Sequence, residues 1–391
     1  MPINAVTAAC GFNPILEKTS LEFAPGAYAE PMSPSAMLNP LDLPSEGLKI
    51  LTGLWDKAKA YKILYDYGRY SDNLRANFAK RYSPTDVYRV IHDFKGRSGL
   101  PSTATEARLE GKSSVANEDV NRVYEFSGYI FEFFKEHLGY VLEQPMIHVV
   151  NYNDDERAVG LDNAGFSPIE KGLSMMIYGK GDGKIFKSFT SDISIIAHEL
   201  THNFLHGKYG AKFTSMGSHY GQPGAINEHV SDVIAKCVEA KYNGWDDLVE
   251  HWFIGANLMV NPNFSLRDMA EPGLAYDDPK IGKDPQVDHM KDFIVTEDDH
   301  GGVHLNNGIL NRVFALFAEN VGGAVYGTPL DVWLLALDIC EEGPSFYDFS
   351  QALRAAAKRY GVEKEFLAAA DKVGVLEYLV IDGRVQKIEK A

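Results

Sequence analysis

The sequence predicts a two-lobed α+β fold with a β-rich amino-terminal lobe, a central histidine-bearing helix and a mostly helical carboxy-terminal lobe. Three observations predict it. Strand-like runs, Met146 to Tyr152 and Leu173 to Tyr178, fall in the first half. Apolar residues at helical spacing dominate the second half. Between them a helical stretch carries the run His198-Glu199-Leu200-Thr201-His202. With 391 residues, 45% of them hydrophobic, the chain is long enough for two substantial cores.

Residues 1 to 82 open with a third rich in Pro, Ser and Ala that reads as irregular. From Ser45 to Tyr82, helical periodicity runs through Leu48, Leu51, Leu54, Trp55, Ala58, Leu64 and Tyr67. The first lobe, residues 83 to 190, is expected to hold twisted, largely antiparallel strands and a helix near Asn117 to His137. Thr190, Ser191 and Asp192 then offer an N-cap, Ile193, Ile196, Ala197, Leu200 and Phe204 recur at helical spacing, and Gly207 is a plausible stop. The second lobe, residues 191 to 375, includes helices at Asn307 to Ala318, Pro329 to Cys340 and Phe346 to Tyr360. Residues 376 to 391 form a tail in which Tyr378 to Gln386 reads as a hairpin turning on Asp382-Gly383.

The central helix carries the chemistry. Positions i and i+4 differ by about 40° around a helix and about 6 Å along it, so His198 and His202 can grip one metal ion from one face, with Glu199 beside the ion. A catalytic zinc usually takes three protein ligands and leaves a place for water. His206 lies about 12 Å from His198 along the helix, too far to share the ion. Glu228 is the best third ligand, because Ala225, Ile226, Val230, Val233, Ile234 and Val238 give its segment helical periodicity after Gly221, Pro223 and Gly224. Asp232, four residues on, shares its face and could accept the free ring N–H of a zinc histidine.

These segments resemble the thermolysin family of zinc endopeptidases. The likeness extends to Asn163-Ala164-Gly165-Phe166, to Tyr178-Gly179-Lys180-Gly181-Asp182-Gly183, to Ser265-Leu266-Arg267-Asp268-Met269 and to Asp299-His300-Gly301-Gly302-Val303-His304. It begins near Tyr88 and ends near Val375, roughly three quarters of the chain, with the motifs in the family's order.

The resemblance implies a zinc endopeptidase with one zinc per chain on His198, His202 and Glu228, supported by Asn227 and Asp232. The metal would lower the pKa of a water toward about 7 and polarise the scissile carbonyl, and Glu199 would act as general base. His304, held by Asp299, would stabilise the oxyanion together with Tyr220, although His219-Tyr220-Gly221-Gln222-Pro223 departs from the family's usual spacing. Asn163 and the carbonyl of Ala164 would hold peptide substrate as an added strand, and Arg267 would bond the carbonyl after the cut. Phe186, Phe189, Ile195, Ile254 and Leu266 would line the pocket for a bulky hydrophobic residue on the carboxyl side of that cut, with Phe189 making it shallow. The family's double calcium site is expected to be absent, because its positions fall on Ser194, Phe253 and Ala256 and leave Glu239 as the main carboxylate.

By the same resemblance, residues 1 to 82 look like the short pro-segment of protealysin-like members and would act as an intramolecular inhibitor. Cys10 could place a thiolate on the zinc in a latent form, or be a thiol with no role. The alternative function is a latent or pseudoenzyme form acting as a binding protein. A net charge of -16 without a long basic run argues against nucleic acid and anionic membrane as partners. The first residues lack a basic and apolar leader, no stretch is apolar enough to span a bilayer, and Cys10, Cys237 and Cys340 suggest no disulfide framework. The expectation is a cytoplasmic protein, or one exported by a non-classical route.

Overall fold

In the computed structural model, which describes residues 87–97, 104–141, 145–153, 162–168, 174–210, 212–213, 219–246 and 251–388, the first lobe is built on one five-stranded sheet. The expectations for residues 1 to 82, Cys10 included, lie outside these residues. Strands β1 (Arg89–Arg97), β2 (Thr105–Leu109), β3 (Met146–Tyr152), β4 (Ala164–Pro168) and β5 (Ser174–Gly179) lie in the order β2-β1-β3-β5-β4. Every residue of β3 and β5 is buried, and their sequences are near-continuous apolar runs, as strands covered on both faces require.

The expected antiparallel pairing is corrected here. β1, β3 and β5 run parallel, and only the pairs β1/β2 and β4/β5 are antiparallel. The reason is topological: β5 inserts between β3 and β4, so by reversing against β4 it runs parallel to β3. A period-two pattern says which face a side chain meets and nothing about the direction of the next strand. The same insertion leaves β4 at the end of the sheet opposite β2, with one edge unpaired among the described residues.

Helix α1 (Glu118–Leu138) is capped by Asn117, whose side chain accepts from the Asp119 N–H, and closes on Gly139. It buries Val120, Val123, Ile130, Phe131 and Phe134 in the main core. Helix α2 (Ile193–Tyr209) is capped by Asp192, which accepts from the Ser194 N–H at 2.8 Å. It runs past the expected stop at Gly207 and closes on Gly210. Gly207 serves packing instead, since a Cβ there would stand 2.4 Å from the Tyr140 hydroxyl.

Helices α3 (Gly221–Asn243), α4 (Asp299–Val321), α5 (Thr328–Ile339), α6 (Phe346–Arg359) and α7 (Glu363–Val373) build the second lobe. α3 begins at Gly221, so Pro223 lies in its first turn, where no N–H partner is needed. α3 packs between α2 and α4, which places the faces carrying His198, Glu228 and His304 against one another. Short pairs β6 (Phe253–Ile254) with β7 (Arg267–Asp268) and β8 (Asp277–Asp278) with β9 (Gly282–Lys283) cover the lobe. The hairpin β10 (Tyr378–Ile381) and β11 (Arg384–Lys387) turns on Asp382 and Gly383, both at positive φ, as a two-residue turn of this kind requires. No helix among the described residues is long and apolar enough to cross a membrane.

Candidate active site

One turn apart on α2, His198 and His202 bring their Nε2 atoms to 3.1 Å. Each ring is held from behind. His198 Nδ1 donates to Asp232 Oδ1 at 2.9 Å, and His202 Nδ1 donates to Asn227 Oδ1 at 2.8 Å with Ser231 Oγ at 3.2 Å. A carboxylate can only accept, so one proton sits on Nδ1 and Nε2 is the atom that faces the neighbouring ring. Two ring nitrogens at that separation repel unless a cation, a proton or a metal ion, sits with them.

Glu228 reaches the same point from α3, with Oε2 3.1 Å from His198 Nε2 and Oε1 3.5 Å from His202 Nε2. A tetrahedral ion with bonds of about 2.1 Å holds its ligand atoms about 3.4 Å apart, and these distances match that spacing. Glu228 Oε2 is buried without a hydrogen-bond partner, the mark of an acceptor aimed at something other than a donor. His198, His202 and Glu228 are the group of donors among the described residues that could hold a metal ion, and the set of two imidazoles and a carboxylate suits zinc.

Burial depresses the basicity of His198, but the neighbouring carboxylates of Asp232 and Glu228 outweigh it and lift the metal-free imidazole to about 10. Burial pulls His202 down to about 3. Burial raises Glu228, yet His304 and His202 lead the groups that hold it well below the usual carboxylate range. Glu199 is fully buried, and desolvation pushes it up to about 7 against the opposing pull of His198, Arg267 and His304. A carboxyl poised there can exchange a proton near neutral pH.

Asp232 is the hub behind the metal face. Its Oδ1 takes His198 Nδ1 and Arg267 Nη2, the latter at 2.5 Å, and its Oδ2 takes Arg267 Nε at 2.8 Å, Asn307 Nδ2 at 3.1 Å and Asn311 Nδ2 at 2.9 Å. Burial alone would raise its pKa, but Arg267 and His198 hold it far below the ordinary range. Arg267, on β7, thus reaches the site through this carboxylate.

His304 approaches from the opposite flank, its Nε2 3.4 Å from Glu228 Oε2. Its Nδ1 meets Asp299 Oδ1 at 2.6 Å, and its backbone N–H donates to Asp299 Oδ2 at 2.8 Å. The turn before it is left-handed over Asp299, His300, Gly301 and Gly302. A side chain at Gly301 would put Cβ 3.0 Å from the Gly221 nitrogen, so glycine is needed for that close approach. Tyr220 precedes α3, is 41% exposed and lies against Gly301. Its neighbour His219, which sequence reasoning missed, points inward with Nε2 2.7 Å from Glu228 Oε1 and its ring edge-on to His202. Its place directly before a segment bearing a metal ligand was the available signal.

The residues expected to meet substrate divide in two. Ala164 is on β4, paired with Tyr178, and Phe166 on the same strand lies against the rings of His202 and His206, so the strand runs beside the zinc helix. Asn163 accepts from the Ala164 N–H through its side chain and from the Gly179 N–H through its carbonyl, which ties down the strand's start. Phe186, Phe189, Ile195, Ile254 and Leu266 are all buried, with Phe186 and Phe189 in ring contact and Gly255 packed between Ile195 and Leu266.

Residues 93–206 match the family model described as thermolysin metallopeptidase, catalytic domain, and residues 218–375 match thermolysin metallopeptidase, alpha-helical domain. The chain is 34% identical over 283 residues to an extracellular metalloprotease of Pectobacterium carotovorum, covering 70% of this chain and 76% of the relative. It is 43% identical over 259 residues to an extracellular minor metalloprotease of Serratia marcescens, covering 62% of this chain and 67% of the relative. Among solved structures, the precursor of protealysin, a metalloproteinase from Serratia proteamaculans, superposes with a TM-score of 0.65 at 31% identity, over 75% of this chain and 89% of that one. The expectation of a cytoplasmic or non-classically exported protein is overturned by these relatives, whose names point to secretion. The composition of the first residues bears on one export route and is silent about final location.

Proposed function

This chain belongs to the thermolysin family of metallopeptidases, zinc-dependent hydrolases of peptide bonds, and on that premise we propose an endopeptidase that cuts on the amino side of bulky hydrophobic residues. The observation that carries the proposal is the meeting of ligand atoms from the buried His198 and Glu228 and the half-buried His202, on two helices, with Glu199 beside them and His304 across from them. His198, His202 and Glu228 would hold one zinc, which when bound supplies a water of lowered pKa and polarises the substrate carbonyl.

The chain's own residues do the rest. Glu199 accepts the proton of the attacking water and hands it to the departing amine. His304 Nε2–H, its ring set by Asp299 on Nδ1, donates to the oxyanion, and Tyr220, at the start of α3 and against Gly301, would serve the same oxyanion. A peptide adds to the edge of β4 at Asn163 and Ala164 and bonds Arg267, while the apolar group around Ile195 and Leu266 receives the following side chain. The precursor form of the structural neighbour supports a further proposal, that residues 1 to 82 act as an inhibitory pro-segment. The test is cleavage profiling on a peptide library with zinc content measured on the same sample: about one zinc per chain and cuts before Leu, Phe or Ile are expected, and a preference for charged residues after the cut would reject the pocket assignment.

The His198 imidazole predicts how zinc binding responds to pH. Its metal-free value of about 10 means that the ring carries a proton near pH 8, which zinc must displace. Apparent zinc affinity should therefore rise about tenfold per pH unit between pH 7.5 and 9.5. Calorimetry in buffers of different ionisation enthalpy should register about one proton released per zinc at pH 8. A flat profile would rule the prediction out.

We also propose that this chain dispenses with the double calcium site. Lys236, fully buried on α3, bonds Glu239 Oε2 and the Phe253 carbonyl, each at 2.5 Å, where the sequence expects the calcium carboxylates to be missing. Glu239 is pushed up to about 7, by burial first and by the nearby Asp192 as well, with Lys236 opposing. Ser194 Oγ bonds Asp192 and receives the Gly255 N–H. An internal ammonium would thus do a divalent ion's work. Millimolar calcium should leave the melting temperature unchanged, and Lys236→Met should lower stability by about 3 kcal/mol by stranding buried carboxylates. A rise in melting temperature with calcium would sink the idea.

A further inference from the structure

The network behind the metal face continues past Asp232 into the second lobe. Asn311, on α4, donates its Nδ2–H to Asp232 Oδ2 at 2.9 Å. The Asn311 carbonyl Oδ1 accepts from His229 Nδ1 at 2.8 Å, and His229 Nε2 accepts from the indole Nε1–H of Trp333, on α5, at 2.8 Å. Asp232, Asn311 and His229 have no exposed surface, and Trp333 has 1%.

Each link can be made in one direction only. An indole N–H donates and never accepts, so His229 Nε2 is the bare nitrogen and Nδ1 carries the proton. Asn311 must then turn its oxygen to His229 and its NH2 to Asp232. The carboxylate can only accept, and its other oxygen receives His198 Nδ1–H. A donor-only group at one end and an acceptor-only group at the other thus set every proton between α5 and the zinc helix.

We propose that Trp333, His229 and Asn311 are positioning residues for the metal centre, a one-way hydrogen-bond chain that holds the Asp232 carboxylate in the plane that keeps His198 Nε2 free for the ion. The inference rests on the zinc assignment of His198. Core filling alone does not account for the chain. His229 sits against the rings of Trp333 and Phe349, where an apolar side chain of similar size would pack without the cost of burying polar atoms.

His229→Gln and His229→Leu separate the two accounts. A glutamine amide presents an acceptor to Trp333 and a donor to Asn311 in the same order, whereas leucine keeps volume and loses both. Zinc affinity, measured by chelator competition, should stay within about twofold of the parent in H229Q and fall about tenfold in H229L, the lower end of what a group supporting a metal ligand is worth. The visible bands of the cobalt(II) form should move in H229L and not in H229Q. A folded H229L with the parent's zinc affinity and cobalt spectrum overturns the inference. If H229L does not fold, Trp333→Phe decides, since it keeps a ring beside Phe314 and Phe317 while deleting the N–H. Weaker zinc binding there supports the chain, and unchanged binding overturns it. A parent that binds no zinc overturns the metal reading and this inference together.

Discussion

Glu199→Gln should lower kcat by roughly a thousandfold or more while zinc stays bound, since general acid–base catalysis contributes on the order of 10²–10⁴ and no other described carboxyl shares its position. Glutamine keeps the shape of the side chain and removes its proton chemistry. His198, His202 and Glu228 are untouched, so zinc content and the cobalt spectrum should match the parent. Stability carries a second, opposite sign. The folded value near 7 lies above the ordinary 4.5, so the ionised carboxylate is disfavoured in the fold, and its cost appears above pH 4.5 and grows until about pH 7. The metal-free variant should therefore melt no lower than the metal-free parent at pH 8. Loss of zinc together with activity would show instead that Glu199 is structural.

Asp232→Ala should be the most damaging single change behind the site. It removes the acceptor for His198 and the carboxylate that bonds both edges of the buried Arg267 guanidinium. Leaving one member of such a buried pair costs about 3–5 kcal/mol, and losing a ligand's supporting carboxylate costs about 10–100-fold in metal affinity. The double variant Asp232→Ala with Arg267→Met should regain part of the stability and none of the zinc affinity, because the buried charge is gone while His198 remains unsupported. Equal recovery of both would mean that the affinity loss was only unfolding. The parent's own acid sensitivity follows from the same carboxylate. Its pKa is depressed in the fold, so its stabilisation is present above the ordinary value of 3.8 and is lost as pH falls below it.

The metal ligands were legible because helical geometry is local. Spacing of four residues puts His198 and His202 on one face whatever else the protein does, and the periodicity after Gly224 carries Glu228 and Asp232 together. Asp299 and His304 were expected from the resemblance of their segment, and the structure joins their side chains across a left-handed turn. His219 went unremarked beside Tyr220, because which of two adjacent residues points toward Glu228 depends on how the chain enters α3. Ser231, Asn307 and Asn311 carried no mark at all, being polar residues inside ordinary helices whose partners lie on other elements.

By itself the sequence determined the zinc-binding helix, the order of lobes, the family and the kind of chemistry, because each depends on residue type at short spacing. The tertiary structure alone decided that the central strands run parallel, that β4 ends the sheet and that Lys236 occupies the place between Glu239 and the Phe253 carbonyl. It also decided that Asp232 gathers donors from three separate elements. Such contacts join residues tens of positions apart, and their formation turns on which helices and strands pack together, a property that no local run of side chains encodes.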